Sequence, residues 1–389
     1  MFKLRIDNLQ IKIKSYFLFI LIGLSFPLLS QENQKEVKTY NLEVGFLQGI
    51  IIRTELFPDS KIKHPIGGDI IYWKDIPNHE KSQLDTFDIH KVRNKTNILY
   101  NYPLVGPFAS FLTNFDEKIG TAFSLGAAAD IGLLQKGSSY LSFRPRLGAA
   151  YFTNSHDLVT NPDNVFIGSR INFHIQGDLY YTFQEPVNTF KIGIGVTHYS
   201  NGTTNLPNFG LNIFNIHAAY QFGPKLFPWD NAHKQELKEA FLLEPKTPSF
   251  FVQGGGFSKQ FQGDFSTRFY GFKLAAGAVQ KLNPYLDINA QALYFYDPSI
   301  NRELEFWGFE TVNNNRVGLS LGFGIEFHRF RFNSNAGIYV FKPEDELDQS
   351  WFQQYQISYT ISPQFYVFGE LFSHLADGDF TNFGIGYKL

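Results

Sequence analysis

Gly193-Ile-Gly-Val-Thr-His-Tyr-Ser-Asn-Gly202, followed by Pro207-Asn-Phe-Gly-Leu-Asn212, is the stretch whose reading decides the fold. From Lys191 onward the even positions are Ile192, Ile194, Val196, His198 and Ser200, and the odd ones are Lys191, Gly193, Gly195, Thr197 and Tyr199. Such alternation describes a strand, in which side chains at i and i+2 share a face roughly 7 Å apart. His198 and Ser200 therefore close an apolar stripe and can meet as general base and nucleophile. Beyond the turn, Asn212, Phe214, Ile216, Ala218, Tyr220 and Phe222 form a second apolar stripe, opposite Asn215, His217, Ala219 and Gln221. Asn212 thus falls on the same face as His198 and Ser200, near the top of the adjoining strand.

Working outward, alternating segments recur at about 42–53, 68–75, 105–114, 119–132, 139–154, 167–184, 189–200, 212–223, 249–262, 266–280, 284–296, 315–330, 332–341, 351–361, 364–374 and 380–389. The clearest is 317–327, where Val317, Leu319, Leu321, Phe323, Ile325 and Phe327 oppose Gly318, Ser320, Gly322, Gly324 and Glu326. Aromatic residues make up 17% of the chain, charged ones only 18%, and Phe alone numbers 43, a composition suited to many strands with aromatic girdles. No run after the amino-terminal segment approaches the roughly 18 apolar residues of a membrane helix, and mean hydropathy is −0.18. A helical membrane protein is thereby excluded and a barrel is not, because alternation hides transmembrane strands from hydropathy averages. The expected fold is all-β, an antiparallel transmembrane barrel of about sixteen strands. An even number places both ends in the periplasm. The last segment, with Phe383, Ile385, Tyr387 and Leu389 alternating with Asn382, Gly384, Gly386 and Lys388, reads as the signal recognised by the barrel-assembly machinery.

Residues 1–30 read as a secretory signal, with Lys3, Arg5, Lys12 and Lys14 ahead of an apolar core. The expected destination is the outer membrane of a Gram-negative bacterium. With no cysteine, the chain has no lipobox, disulfide or thiolate metal site. A net charge of −2, without a basic cluster after the signal, argues against nucleic acid as a partner. Residues 31–223 and 249–389 form two strand-rich halves. Between them, 224–248 holds a short helix from Asn231 to about Leu242, with Asp230 as cap and Leu237 and Phe241 on one side. His198 leading to Asn208-Phe-Gly-Leu211 is echoed by His374 leading to Asn382-Phe-Gly-Ile385. One large barrel, with the helix as a periplasmic plug or turn, is preferred over two tandem eight-stranded barrels.

If the first strand runs outward, the 200–212 hairpin lies outside the cell and its polar residues face lipid. Serine needs a base to take its proton, the base needs a group to hold its tautomer, and the oxyanion needs donors. His198, Asn212 and the Asn201-Gly202 turn can fill these roles. Asn-Gly is also an ordinary hairpin-turn pair. His64, His79 and His90 fall in a polar stretch better read as a solvated loop, His217 on the lumen face, and Glu303, Glu305 and Glu310 in a surface loop around Trp307.

His198-x-Ser200-Asn201-Gly202 with Pro207-Asn208-x-Gly210-Leu211 resembles the motif of the lipid A 3-O-deacylase (PagL) family, also called acyloxyacyl hydrolase-like outer-membrane proteins. The resemblance implies an eight-stranded barrel with a Ser-His-Glu triad on its outer surface, and lipid A or lipopolysaccharide as substrate. It makes Ser200 the nucleophile, His198 the base, Asn201 and the amides of its turn oxyanion donors, and Asn208 a supporting residue. The family's acid falls on Asn212. Outer-membrane phospholipase A uses Ser, His and Asn at this spacing. Its calcium-binding acid has no counterpart in Thr203-Thr204-Asn205-Leu206, so no metal or other cofactor is expected. The readings carried forward are a lipid A deacylase-like hydrolase, a phospholipase, and a non-catalytic channel or structural barrel. A homodimer is one way a lipid-facing site could complete an acyl groove.

Overall fold

The computed structural model describes residues 41–51, 64–73, 99–101, 103–113, 117–184, 188–222, 231–243, 247–261, 263–327, 329–344, 347, 349–374 and 377–389. The expected signal, Asp230, His79 and His90 lie outside these residues.

Eight strands make a first barrel: β1 (Asn41–Ile51), β2 (Ile66–Trp73), β3 (Leu104–Thr113), β4 (Ala122–Lys136), β5 (Ser139–Phe152), β6 (Ile171–Gln184), β7 (Asn188–Ser200) and β8 (Leu211–Phe222). Neighbours are antiparallel, and β8 returns to β1 in register from Glu43↔Gln221 to Ile51↔Ile213, closing the sheet. A second barrel follows: β9 (Ser249–Phe261), β10 (Asp264–Lys281), β11 (Leu286–Tyr296), β12 (Asn315–Phe327), β13 (Phe330–Phe341), β14 (Trp351–Thr360), β15 (Phe365–His374) and β16 (Asp377–Lys388). It closes where β16 meets β9, from Asn382↔Phe257 to Lys388↔Phe251. The all-β expectation holds, and the described residues include sixteen strands. The single large barrel does not, since that would pair β8 with β9 and β16 with β1. Period-two alternation marks which face each strand buries, and both closures satisfy it equally.

The faces follow the alternation. On β7, Phe190, Ile192, Ile194 and Val196 are exposed, while Thr189, Lys191 and Thr197 are buried in the lumen. With its apolar side chains outside and polar ones inside, this is the inverse of a water-soluble barrel. An eight-stranded barrel is just wide enough for side chains to fill. Glu43, Asp130, Arg144 and Lys191 fill this one as a closed set of ion pairs, Lys191 Nζ lying 2.7 Å from Glu43 and 2.9 Å from Asp130. Arg144 Nη2 reaches Asp130 at 3.1 Å. All four side chains have 0% exposure. Above them His217 Nε2 contacts Asp178 at 3.1 Å, the hydrogen-bonded interior role expected of it. The second lumen is filled by a Lys273–Glu370 pair and by stacked rings, including Phe257 on Phe380 at 3.9 Å.

Helix α1 (Asn231–Leu243) falls between the two barrels in the chain, half-burying Leu237 and Phe241 and exposing most of its other described side chains, with Lys234 Nζ donating to Asn101 Oδ1 at 3.1 Å. The loop expected around Trp307 is partly a second helix, α2 (Ser299–Trp307), anchored by fully buried Ile300 and Leu304. The His198/His374 echo also takes a different form. His374 points inward to Tyr339 Oη at 3.0 Å, and Asn382 is buried. The halves repeat as barrels, while the side-chain chemistry of the first is absent from the second.

At one rim of the first barrel Tyr181 meets Phe183 at 4.7 Å and Tyr220 meets Phe222 at 4.9 Å, with Phe190 stacked on Phe183. These rings form a girdle of the kind found at membrane interfaces. From Phe190 to Ser200, ten strand residues at ~3.3 Å each, tilted by ~40°, rise ~25 Å, about the height of an apolar band. Ser200 therefore stands at the opposite end of the apolar face.

Candidate active site

β7 and β8 pair with His198 directly opposite Asn212. Both side chains point outward, as the alternation requires, and His198 Nδ1 lies 2.7 Å from Asn212 Oδ1. An amide oxygen can only accept, so this contact places the imidazole proton on Nδ1 and leaves the Nε2 lone pair available. Ser200 follows on the same face, half-buried where the apolar stripe ends.

Ser200 Oγ accepts a hydrogen bond from the Gly202 amide at 3.0 Å and another from Asn208 Nδ2 at 3.4 Å. Among the described residues no hydrogen bond joins it to His198. Both contacts are donated to the hydroxyl, so neither uses its own proton. Asn208 also braces the turn, its Oδ1 accepting from the Asn201 amide at 3.2 Å. The Asn201 side chain is turned into the loop, where Nδ2 donates to Asn205 O at 2.8 Å and to Ser169 Oγ at 3.3 Å. The backbone donor aimed at the hydroxyl thus belongs to Gly202, while Asn201 holds the loop together.

Gly210 has φ +70°, and a Cβ there would lie 2.9 Å from His198 Cε1 and 3.4 Å from Ser200 Cβ. Glycine is what the left-handed conformation and the space beside both side chains demand. The long β5–β6 loop seats this segment, the Phe209 and Gly210 amides donating to Val165 O at 3.2 Å and Phe166 O at 3.1 Å. Phe173 on β6, the register partner of Ser200, continues the outward apolar surface.

Sequence reasoning missed the second barrel's part. Thr381 Oγ1 donates to Gly202 O at 3.2 Å, Thr203 Oγ1 lies 2.6 Å from Asp379 O, and the Leu206 amide donates to Gln260 Oε1 at 2.9 Å. Arg268 is hydrogen-bonded to Asn205 Oδ1, and Phe383 packs on Phe173 with ring centroids 6.2 Å apart. No local signal joins residues 179 positions apart in the chain.

The first barrel thus has an apolar exterior and carries His198, Ser200 and Asn212 together on its outward face at one rim. Residues 92–221 match the family model of lipid A 3-O-deacylase (PagL), and residues 249–389 match that of the acyloxyacyl hydrolase C-terminal domain. The first match ends within β8 and the second takes in β9 to β16. Among solved structures it is similar to the outer membrane enzyme PagL, at 15% identity over 46% of this chain and 97% of that one, with a TM-score of 0.31. A porin mutant of Rhodopseudomonas blastica aligns at 10% identity over 90% and 99%, with a TM-score of 0.19. Omp33 of Acinetobacter baumannii aligns at 10% over 90% and 98%, with a TM-score of 0.17. Scores of this size carry no argument about activity. No curated protein matches the chain.

Proposed function

We propose that the chain is an outer-membrane serine acyl-ester hydrolase that removes an ester-linked acyl chain from lipid A. The observation that carries this reading is the His198–Asn212 contact at 2.7 Å, with Ser200 beyond it on the same lipid-facing stripe. Polar side chains at such a position cost free energy if they do nothing. The match of residues 92–221 to the lipid A 3-O-deacylase family model supports the substrate class.

In the proposed reaction Ser200 Oγ attacks the ester carbonyl while His198 Nε2 takes its proton. The C–O bond to the sugar then breaks, and the imidazolium returns the proton to the departing alkoxide. Water next attacks the acyl-serine, His198 again acting as base, and a fatty acid leaves. The Gly202 amide and Asn208 Nδ2, which donate to Ser200 Oγ in the resting site, would turn to the neighbouring tetrahedral oxyanion on the substrate's carbonyl oxygen. Asn212 orients the imidazole without contributing a charge to balance the imidazolium.

A second reading, phospholipase activity, is favoured by one specific residue, the asparagine in the third position. Mass spectrometry of lipid A and phospholipids from membranes carrying the wild-type chain or Ser200→Ala separates the two. Loss of one lipid A acyl chain with the wild type alone is expected. Lysophospholipid in its place would transfer the assignment, and no change in either pool would leave a non-catalytic barrel.

A further inference from the structure

The turn that carries the Gly202 amide is a loop at a membrane surface, and a donor preorganises a transition state only if its orientation is fixed. Within the first barrel, Gly202 is tied to Ser200 through its amide hydrogen bond at 3.0 Å. Its φ is +61°, where glycine is free to move among several conformations. At the other end of the same residue the carbonyl accepts from Thr203 Oγ1 at 2.6 Å within the turn and, from the second barrel, from Thr381 Oγ1 at 3.2 Å. The fit is close, since a Cβ on Gly202 would meet Thr381 Oγ1 at 1.8 Å. Successive residues of the turn repeat the pattern: Thr203 lies against Asp379, Asn205 is bonded by Arg268, and Leu206 donates to Gln260. Asp379 is itself fixed by Lys259, whose Nζ lies 2.5 Å from it and 2.7 Å from Asp297 inside the second lumen.

The geometry points to a positioning role for the second barrel in hydrolysis: β16, through Thr381, helps clamp the Gly202 carbonyl and so holds the Gly202 amide beside Ser200 Oγ, next to the carbonyl oxygen on which the oxyanion forms. This rests on the serine-hydrolase reading above. Thr381 touches neither substrate nor reacting atoms, and it acts through Gly202. The clamp also accounts for why a chain with one complete barrel carries a second that lacks the His-Ser-Asn arrangement.

The test uses the full chain in mixed micelles with lipid A, comparing Thr381→Val, Thr381→Ser and Ser200→Ala. Thr381→Val keeps the shape and removes the donor. It is expected to lower kcat about tenfold, the worth of one neutral hydrogen bond, with KM within about twofold. Thr381→Ser restores most of the rate. Heat-dependent gel migration reports whether both barrels are closed, and Gln260→Leu, which frees the Leu206 amide, gives a second probe should Thr381→Val not close. Wild-type kcat from the closed Thr381→Val and Gln260→Leu variants, or a Thr381→Ser variant as slow as Thr381→Val, overturns the clamp. An active Ser200→Ala enzyme instead overturns the hydrolase reading beneath it.

Discussion

His198 and Asn212 are register partners across β7 and β8 and are joined at 2.7 Å, on the outer face of the barrel and at the end farthest from the aromatic girdle of Phe183 and Phe190. A histidine held this way has one nitrogen committed and one free. Replacing Asn212 with Ala releases the ring, and misplacement of a base by about 1 Å can cost about a hundredfold in rate. That loss is expected in kcat with lipid A binding retained, and an unchanged kcat would remove Asn212 from the site.

Asn212→Asp tests the same contact in the opposite direction. A carboxylate keeps the Nδ1 hydrogen bond and adds a charge opposite the imidazolium, and charge-assisted bonds exceed neutral ones by about 1 kcal/mol. A kcat about fivefold above wild type is expected in steady-state assays of acyl release. A fall in rate would show that the amide is preferred.

Gly210→Ala places a methyl group 2.9 Å from His198 Cε1 at a φ of +70°. The strained backbone costs about 1 kcal/mol, and the imidazole must shift to make room. Activity is expected to fall at least about tenfold while heat-dependent gel migration remains that of a closed barrel.

Lys191→Met breaks the lumen set of Glu43, Asp130, Arg144 and Lys191, leaving two buried carboxylates to share one guanidinium. Removing one partner from a buried charge network costs about 3–5 kcal/mol. A lower urea midpoint for unfolding from detergent is expected, with the site on the outer wall unaltered once folded.

Planar-bilayer recordings address the channel alternative. Charged side chains at 0% exposure pack the first lumen and stacked phenylalanine rings occupy the second. No steady ion conductance is expected, and a reproducible open level would restore the channel.

Much of this was legible in the sequence because a strand writes its faces into every second residue. The alternation at 317–327 and 351–361 marks β12 and β14, and the same parity places His198, Ser200 and Asn212 on one outward face. Closure was not legible, because the choice of β1 or β9 as partner for β8 depends on register between segments far apart in the chain, and both offer acceptable edges. The lumen network escaped for a similar reason. Parity sends Glu43, Asp130, Arg144 and Lys191 inward without saying which of them meet. Asn201 reads as a donor in any sequence motif, and only the folded loop shows its side chain taken by Asn205 and Ser169. Thr381 carries no mark at all.

The separation between Gly202 and Thr381 sets an order of events in biogenesis. A ribosome completes the Ser-His-Asn hairpin well over a hundred residues before it reaches the threonine that grips it, 179 positions downstream. A chain cut before β16 would lack both the threonine that grips Gly202 and the terminal strand that reads as the assembly signal. On the hydrolase reading proposed above, insertion into the membrane and the aim of the Gly202 amide then depend on one strand, β16, which also seals the second barrel.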